Sequence, residues 1–415
     1  MNNLPDKLQK IVRDVDAMID PRLKEIDEQI LYNQNKVLQA FKDHQVAESD
    51  LLGTTGYGNN DEGRDKLDQI YAQIFKTEDA LVRSQFVSGT HTLATAMAGN
   101  LVPGDELTYL TGMPYDTMQE VIGIAGDKRG SLAQYGVKFS YIPLKDGDVD
   151  YEQAPQFLAQ HQPKMVVIQR SRGYDPRQSF TVQKIKKMIE MVKKASPKSI
   201  VFIDNCYGEF SEKHEPTEYG ADLMAGSLIK NAGGGFAKIG GYIVGKKEYV
   251  ENAAFRLTAA GIGRDEGATL NNNRDFYQGL FMAPTTTGSA IKGAIYSAAL
   301  LEKMGADVSP KWNEPRTDLI QAIIFNDPDK MIEFVQQIQA NSPIDSFVSP
   351  IPSEQPGYED KIIMAAGSFV EGSTVEFSAD GPIRPPYVVY MQGGLTYAHV
   401  KLAITAAVKA IYFKD

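Results

Sequence analysis

Between residues 182 and 195, apolar side chains fall at Val182, Ile185, Met188, Ile189 and Val192, the three-and-four spacing of one helical face. Thr181 stands just ahead of them as a candidate N-cap. On either side the period changes. MVVIQRS before this helix and SIVFIDN after it are nearly continuous apolar runs, as expected of strands covered on both faces. Strand, helix, strand at this spacing is a βαβ unit and predicts a parallel sheet. The pattern begins near residue 80, where ALVRSQFVSGT reads as a strand entering a turn and HTLATAMAGNL as the helix leaving it. KFSYIPL and ADLMAGSLIK add strands, and KIGGYIVG, past three consecutive glycines, reads as a hairpin partner for the latter.

Residues 5–45 read as helical, with Leu23, Ile26, Ile30, Val37, Leu38 and Phe41 on the apolar side. LLGTTGYGNNDEG follows as a loop, then DKLDQIYAQIF as a short amphipathic helix. After about residue 283 the pattern changes again. APTTTGSAIKGAIYSAALLEKMG is a long helix; FVSPIPSE, IIMAAGSF, TVEFSADG and YVVYMQGG read as short strands; TYAHVKLAITAAVKAIYF closes the chain as a helix. The expected fold class is α/β, with a mostly parallel central sheet, helices on both its faces and a smaller α+β unit. The expected domains are an N-terminal helical segment (1–50) packing on the small domain or a partner subunit, a large ligand-binding domain (51–283) and a small C-terminal domain (284–415).

Charge and cysteine content narrow the function classes. A formal net charge of −10 over 415 residues weighs against nucleic acid or an anionic membrane surface as the main partner. No apolar run has the length of a membrane span, and the charged N-terminus lacks a signal-peptide core. The single cysteine, Cys206, excludes an intrachain disulfide. A soluble, cytoplasmic protein is the expectation.

Three features carry candidate chemistry. Lys230, in SLIKNAGGG, is either an ordinary surface lysine at a strand end or a nucleophilic amine. Burial would lower its pKa and free the neutral amine, and Gly233, Gly234 and Gly235 would let the backbone pass close to something bulky. Asp204, in VFIDNCYGEF, stands at the carboxyl end of a parallel strand, where α/β proteins bind ligands. It reads as an N-cap, a metal ligand or the partner of a heterocyclic nitrogen. Glu209 and His214 nearby do not complete a metal-binding spacing, so no metal is expected. VSGTHTLATAM places Ser88, Gly89 and Thr90 at a strand-to-helix turn, suited to an anion or to simple capping. GxGxxG after a strand, GxxxxGK[ST] and GxSxG are absent. An anion cradle, a strand-end aspartate and a downstream lysine on one α/β domain are together what pyridoxal phosphate requires.

Several segments, in order, resemble one family of pyridoxal-phosphate enzymes of fold type I: SGTHTLATAM, PGDELTYLTGMPYDT, QRSRGYDPRQS, FIDNCYGEF, GADLMAGSLIKNAGGG, GGYIVG, QGLFMAP, SADGPIRPPY and QGGLT. The family is that of the methionine γ-lyase-like proteins, also described as cystathionine β-lyase family proteins involved in aluminium resistance. The resemblance implies Lys230 as the Schiff-base lysine, Asp204 as the pyridinium partner, and Ser88, Gly89, Thr90 and Ser227 as phosphate ligands. It implies Tyr115 as the residue stacked on the cofactor and a candidate general acid, its rival reading being a core aromatic. It implies that Tyr57 reaches the neighbouring subunit's phosphate, making the protein a homodimer or homotetramer with shared sites. Arg384 is the candidate for the substrate carboxylate and Arg172 its rival, with a structural salt bridge the alternative for both. Typical relatives carry arginine where this chain has Asn59, and Arg64 is the candidate substitute; Ala232 stands where the family more often has proline. The implied activity is elimination of a thiol from the β or γ carbon of a sulfur-containing amino acid. An aminotransferase or other α-carbon enzyme, and a non-catalytic protein linked to metal tolerance, are the alternatives.

Overall fold

The computed structural model describes residues 4–355 and 360–414, so the first three residues of the N-terminal segment lie outside it. Helix α1 (Asp6–Asp43) is one continuous rod, with Pro21 inside it. After it come α2 (Glu62–Ile74), β1 (Asp79–Arg83), α3 (Gly89–Asn100), β2 (Glu106–Tyr109) and α4 (Asp116–Ile122). The chain continues through β3 (Lys138–Tyr141), a small ribbon of β4 (Leu144–Lys145) and β5 (Asp148–Val149), and α5 (Ala154–His161). The βαβ unit read from the sequence is β6 (Met165–Gln169), α6 (Val182–Ala195) and β7 (Ile200–Asp204), with the Thr181 hydroxyl accepting from the Lys184 N–H. Next are β8 (Leu223–Ser227), β9 (Gly241–Gly245), α7 (Lys247–Leu257) and α8 (Asn272–Lys303). The last elements are β10 (Asp307–Ser309), β11 (Gln321–Ile324), α9 (Pro328–Ala340), β12 (Ile362–Ala365), β13 (Ser378–Pro382), β14 (Val388–Gln392) and α10 (Tyr397–Tyr412).

Seven strands form the large sheet in the order β1-β9-β8-β7-β6-β2-β3. Five of them, from β8 to β3, run parallel; β9 is antiparallel to both β8 and β1, the hairpin expected of KIGGYIVG. The apolar runs are continuous because alternate residues face opposite layers. Val166, Ile168, Val201 and Ile203 pack with Ile185, Met188 and Val192 of α6. Met165, Val167, Ile200 and Phe202 pack on the other face with Leu93, Ala96 and Met97 of α3. The second sheet, β10-β11-β14-β13-β12, is antiparallel throughout. Its core includes α8, α9, α10 and the first half of α1, through Leu8, Val12, Val15, Ile19 and Ile26; Val37 and Ala40 belong to the large-sheet core.

Three sequence readings of the helices and strands outside the site differ from the structure. FVSPIPSE is not a strand: residues 347–354 make only an isolated bridge from Ser353 to Ile362, and Phe347 and Ile351 are exposed. Among the described residues the pairing there does not extend beyond that bridge to the start of β12. The long helix starts at Asn272 and runs across residues 283 and 284, because Pro284 is accommodated inside it. Leu38, placed on the apolar side of α1, is exposed.

A buried ion pair anchors the edge of the large sheet. Arg83, at the end of β1, donates two hydrogen bonds to Asp68 of α2 at 2.8 and 2.9 Å, and Asp68 also accepts from the Val82 N–H at 2.7 Å. Replacing Asp68 by alanine strands a buried guanidinium and should destabilise the protein by about 3–5 kcal/mol. Urea denaturation followed by circular dichroism measures this; Lys24→Ala, which breaks only a surface pair, should leave the midpoint unchanged.

Candidate active site

A cavity of about 600 Å³ opens at the carboxyl ends of the parallel strands. Strand parity decides what enters it. Gln169, Asp204 and Ser227 each continue the set of strand positions facing α3. The first turn of α3 brings Ser88, Gly89 and Thr90 to the same place, and Tyr115, the N-cap of α4, arrives from the end of β2. Lys230 lies on the turn three residues beyond β8, not on the strand end expected from the sequence.

At the anion end, the Ser88 hydroxyl accepts from the His91 N–H at 3.1 Å and caps α3. Ser227 Oγ is fully buried and has no hydrogen-bond partner among the described residues. Such a hydroxyl is costly unless a ligand completes it. Gly89 fits this cradle: a Cβ on it would stand 3.3 Å from Ser227 Cβ and 3.5 Å from Cys206 Sγ, closing the space between helix and strand. An orphan hydroxyl and a helix N-terminus suit a phosphate.

Asp204 ends β7, and its Oδ1 accepts from the Cys206 N–H at 3.1 Å. Burial raises its pKa above the ordinary aspartate value, against the pull of the Cys206 N–H and Lys230. Tyr115 is raised well above the usual phenol value, first by burial and then by the charge of Asp204, so it stays protonated. Cys206 is raised for the same two reasons and remains an unreactive thiol. Lys230 requires a correction. Burial alone lowers it, as expected, but Tyr207, Cys206, Asp204 and Glu209 push harder the other way and leave it above the ordinary lysine value. Without a ligand the amine is an ammonium.

Four residues bearing on Lys230 escaped the sequence reading as site residues. Tyr207 places its ring 4.1 Å from Lys230 Nζ. Its φ of 68°, together with 59° at Phe210, is costly for a bulky residue. Asn231 holds this loop, donating from Nδ2 to the carbonyls of Tyr207 and Glu209 at 2.9 Å each. Glu209 lies behind β8, where its Oε1 accepts from the Tyr242 hydroxyl at 2.7 Å. Gly226 is required there, because a Cβ would fall 2.3 Å from that oxygen. Asp380, on β13, lines the cavity from the second sheet. Tyr207 and Glu209 sit in the same FIDNCYGEF segment as Asp204, but only the positive φ at Tyr207 turns its ring to the lysine.

The arginine candidates differ sharply. Arg172 donates to the carbonyls of Asp175, Ser309 and Pro176 and to the Ser309 hydroxyl, which commits its guanidinium to the protein. Arg384 lines the cavity half-exposed, and its one hydrogen bond to a side chain among the described residues is to Asp360, at 3.0 Å. Arg64 is buried against the carbonyls of Gly58 and Gly267 and does not line the cavity. Tyr57 does not line it either: it is 72% exposed on the surface. Among the described residues no group of three or more His, Cys, Asp or Glu side chains is placed to hold a metal ion, and no helix is long and apolar enough to cross a membrane.

A profile of the methionine γ-lyase family matches residues 8–412. The chain belongs to the methionine γ-lyase family. Within reach of this family lies the uncharacterised protein YnbB of Bacillus subtilis, 50% identical over 98% of this chain and 97% of its own. A solved structure from Listeria monocytogenes, provisionally described as a cystathionine β-lyase involved in aluminium resistance, superposes with a TM-score of 0.95 at 51% identity, covering 97% of this chain and all of that one. A Clostridium novyi structure, described as a carbon–sulfur lyase involved in aluminium resistance, gives 0.94 at 44% identity over 98% and 96% of the two chains. At 16% identity and a TM-score of 0.64, the pyridoxal-5′-phosphate-dependent YhfS of Escherichia coli shares the fold, that of fold-type I enzymes.

Glu209 yields a pH prediction for this methionine γ-lyase family member. Burial pushes its carboxyl up to about 8 from an ordinary 4.5. Below the lower value the carboxyl is protonated in both folded and unfolded chains. Between the two the unfolded chain ionises while the folded one keeps its proton, so stability falls as pH rises through this window. Glu209→Gln should flatten the slope of Tm against pH between about 5 and 8; an unaltered slope in calorimetry would contradict the assignment.

Proposed function

We propose that this protein is a pyridoxal-phosphate-dependent carbon–sulfur lyase that cleaves a sulfur-containing amino acid by β- or γ-elimination. The observation that carries this reading is the convergence of Lys230, Asp204 and the unpartnered Ser227 hydroxyl on one cavity at the N-terminus of α3. The Clostridium novyi relative, described as a carbon–sulfur lyase, supports the reaction class. Ser88, Gly89, Thr90 and Ser227 would hold the phosphate, Asp204 would face the ring nitrogen, and Lys230 would provide the covalent attachment. When bound, pyridoxal phosphate supplies an electron-withdrawing ring that stabilises negative charge at the substrate α carbon.

The chain's own groups then divide the remaining work. The Lys230 amine takes the proton from the substrate α carbon. Tyr115 Oη, protonated at neutral pH, is a proton source for the departing sulfur. Arg384 binds the substrate carboxylate in this reading, since Arg172 has no guanidinium face to spare. The reading extends to a cytoplasmic homodimer or homotetramer in which Tyr57 completes a neighbouring site; its exposed side chain, away from this chain's own cavity, supports that arrangement.

Purified protein supplied with pyridoxal phosphate should be yellow, lose its visible band in Lys230→Ala, and release a 2-oxo acid and ammonia from a sulfur amino acid. A colourless wild type sinks the proposal, and a strict need for a 2-oxo acid acceptor would mark an aminotransferase instead. Arg384→Ala should raise KM for the amino acid about 10- to 100-fold, the loss expected for a hydrogen bond to a charged group, with a smaller change in kcat. Arg172→Ala should instead lower Tm, because it removes a set of structural hydrogen bonds.

A further inference from the structure

Among the described residues, Asp380 is the one strand carboxylate that the second sheet turns into the cavity. It lies at the middle of β13 opposite Tyr390 of β14 and is 2% exposed. Among the described residues it makes no ion pair; the Ser373 hydroxyl donates to it at 3.4 Å, and Tyr174 hydrogen-bonds it as well. Burial pushes it up to about 6, with Tyr174, Ser373 and the charge of Lys230 pulling the other way, so near pH 7.5 it is an anion. Two aromatic rings stand beside it: Tyr174 and Tyr390 lie 5.1 Å apart, centroid to centroid, and the Tyr390 hydroxyl donates to the Tyr174 carbonyl at 2.9 Å. Arg384 follows four residues later in the chain and lines the same cavity.

A buried carboxylate flanked by tyrosine rings has the chemistry of an ammonium site. The charge of Lys230 acts on it across the cavity. In the lyase reading that amine is engaged with the cofactor, and a buried carboxylate with hydrogen bonds but no ion pair among the described residues suits a cation brought by the substrate. We propose that Asp380 is a specificity-determining residue that selects amino-acid substrates carrying a second ammonium group, on the side chain, over those ending in an alkyl group. This rests on the lyase reading and deepens it by naming the substrate class.

L-Lysine and L-norleucine share a four-carbon side chain and differ by the terminal ammonium that lysine carries, so their binding to the pyridoxal-phosphate-loaded full chain isolates the effect. Calorimetric titration should show lysine binding about 10-fold tighter or better, and Asp380→Asn should bring the two affinities within about 3-fold of each other. The thioether pair S-(2-aminoethyl)cysteine and S-propylcysteine extends the test to turnover. Wild-type kcat/KM for release of pyruvate, ammonia and thiol should favour the aminoethyl compound by a similar factor, and this comparison needs no folded variant. Equal binding of lysine and norleucine to the wild type, or no binding of lysine, overturns the proposal. So does a preference that survives in a folded Asp380→Asn protein, or an equal loss for both thioethers, which would tie Asp380 to the α-amino group common to all substrates. These outcomes are separable from failure of the lyase reading, which shows earlier, as a protein that takes up no pyridoxal phosphate.

Discussion

The parallel register of β7 against β8, with Asp204 beside Ala225, is the constraint on which the site depends. Side chains alternate along both strands, so this pairing sends Asp204 and Ser227 to the face covered by α3 and sends Gly226 to the other. A slip of one residue would exchange them and bury the carboxylate among the aromatic rings of Tyr71, Phe75 and Tyr242. The opposite face also explains the glycine. Glu209 and the Tyr242 ring come so close behind β8 that a side chain at position 226 would displace one of them. The cavity face and the packed face of this strand pair are therefore fixed together.

Polar groups around that pair are tied down by buried donors. Arg170, fully buried just past β6, donates to Asn205, Ser211, Glu212, Glu215 and Thr317 at 2.8–3.2 Å. It thereby holds the loop after β7 against the segment leading into β11. Asn231 ties the same loop to the lysine turn. These bonds offset the unfavourable backbone angles at Tyr207 and Phe210, and the result is an aromatic ring held against Lys230. The QRSRGY segment is thus mainly scaffold: Arg170 and Arg172 spend their guanidinium groups on protein acceptors.

Much of this was legible in the sequence because the large sheet is built from strong local signals. Apolar runs bounded by a helical period mark β6, α6 and β7, and Ser-Gly-Thr before a small-residue helix marks the head of α3. Where the signal is tertiary, reading failed. FVSPIPSE has strand-like composition but, among the described residues, makes no more than an isolated bridge to the start of β12. Strands β2, β10 and β11 are three or four residues long, too short to show a period, and were passed over along with α9. That Lys230, Asp204 and the Ser-Gly-Thr turn share one cavity could be anticipated from residue type and position. The roles of Tyr207, Asn231 and Asp380 could not, since each depends on a backbone angle, a hydrogen bond to a distant carbonyl or a cross-strand pairing.

The two sheets divide the cavity between them. In the proposed reading the large-sheet side of the cavity serves the cofactor: the α3 turn and Ser227 its phosphate, Asp204 its ring, Lys230 its reactive carbon. What the second sheet contributes, Asp380, Arg384, Tyr390 and Gln392, lies across the cavity, toward whatever the cofactor is to act upon. The separation has a physical basis. The parallel strand ends and helix N-terminus of the first sheet supply fixed dipoles and N–H donors, suited to an unvarying phosphate. The antiparallel ladder of the second presents side chains at alternate positions without disturbing its own hydrogen bonds, so charge and size there can change while the register stays. A family that keeps one cofactor and varies its substrates would do so on β13 and β14. An acidic residue on one of these strands and a basic residue just after it fit the proposal that this wall, more than the cofactor end, chooses the substrate.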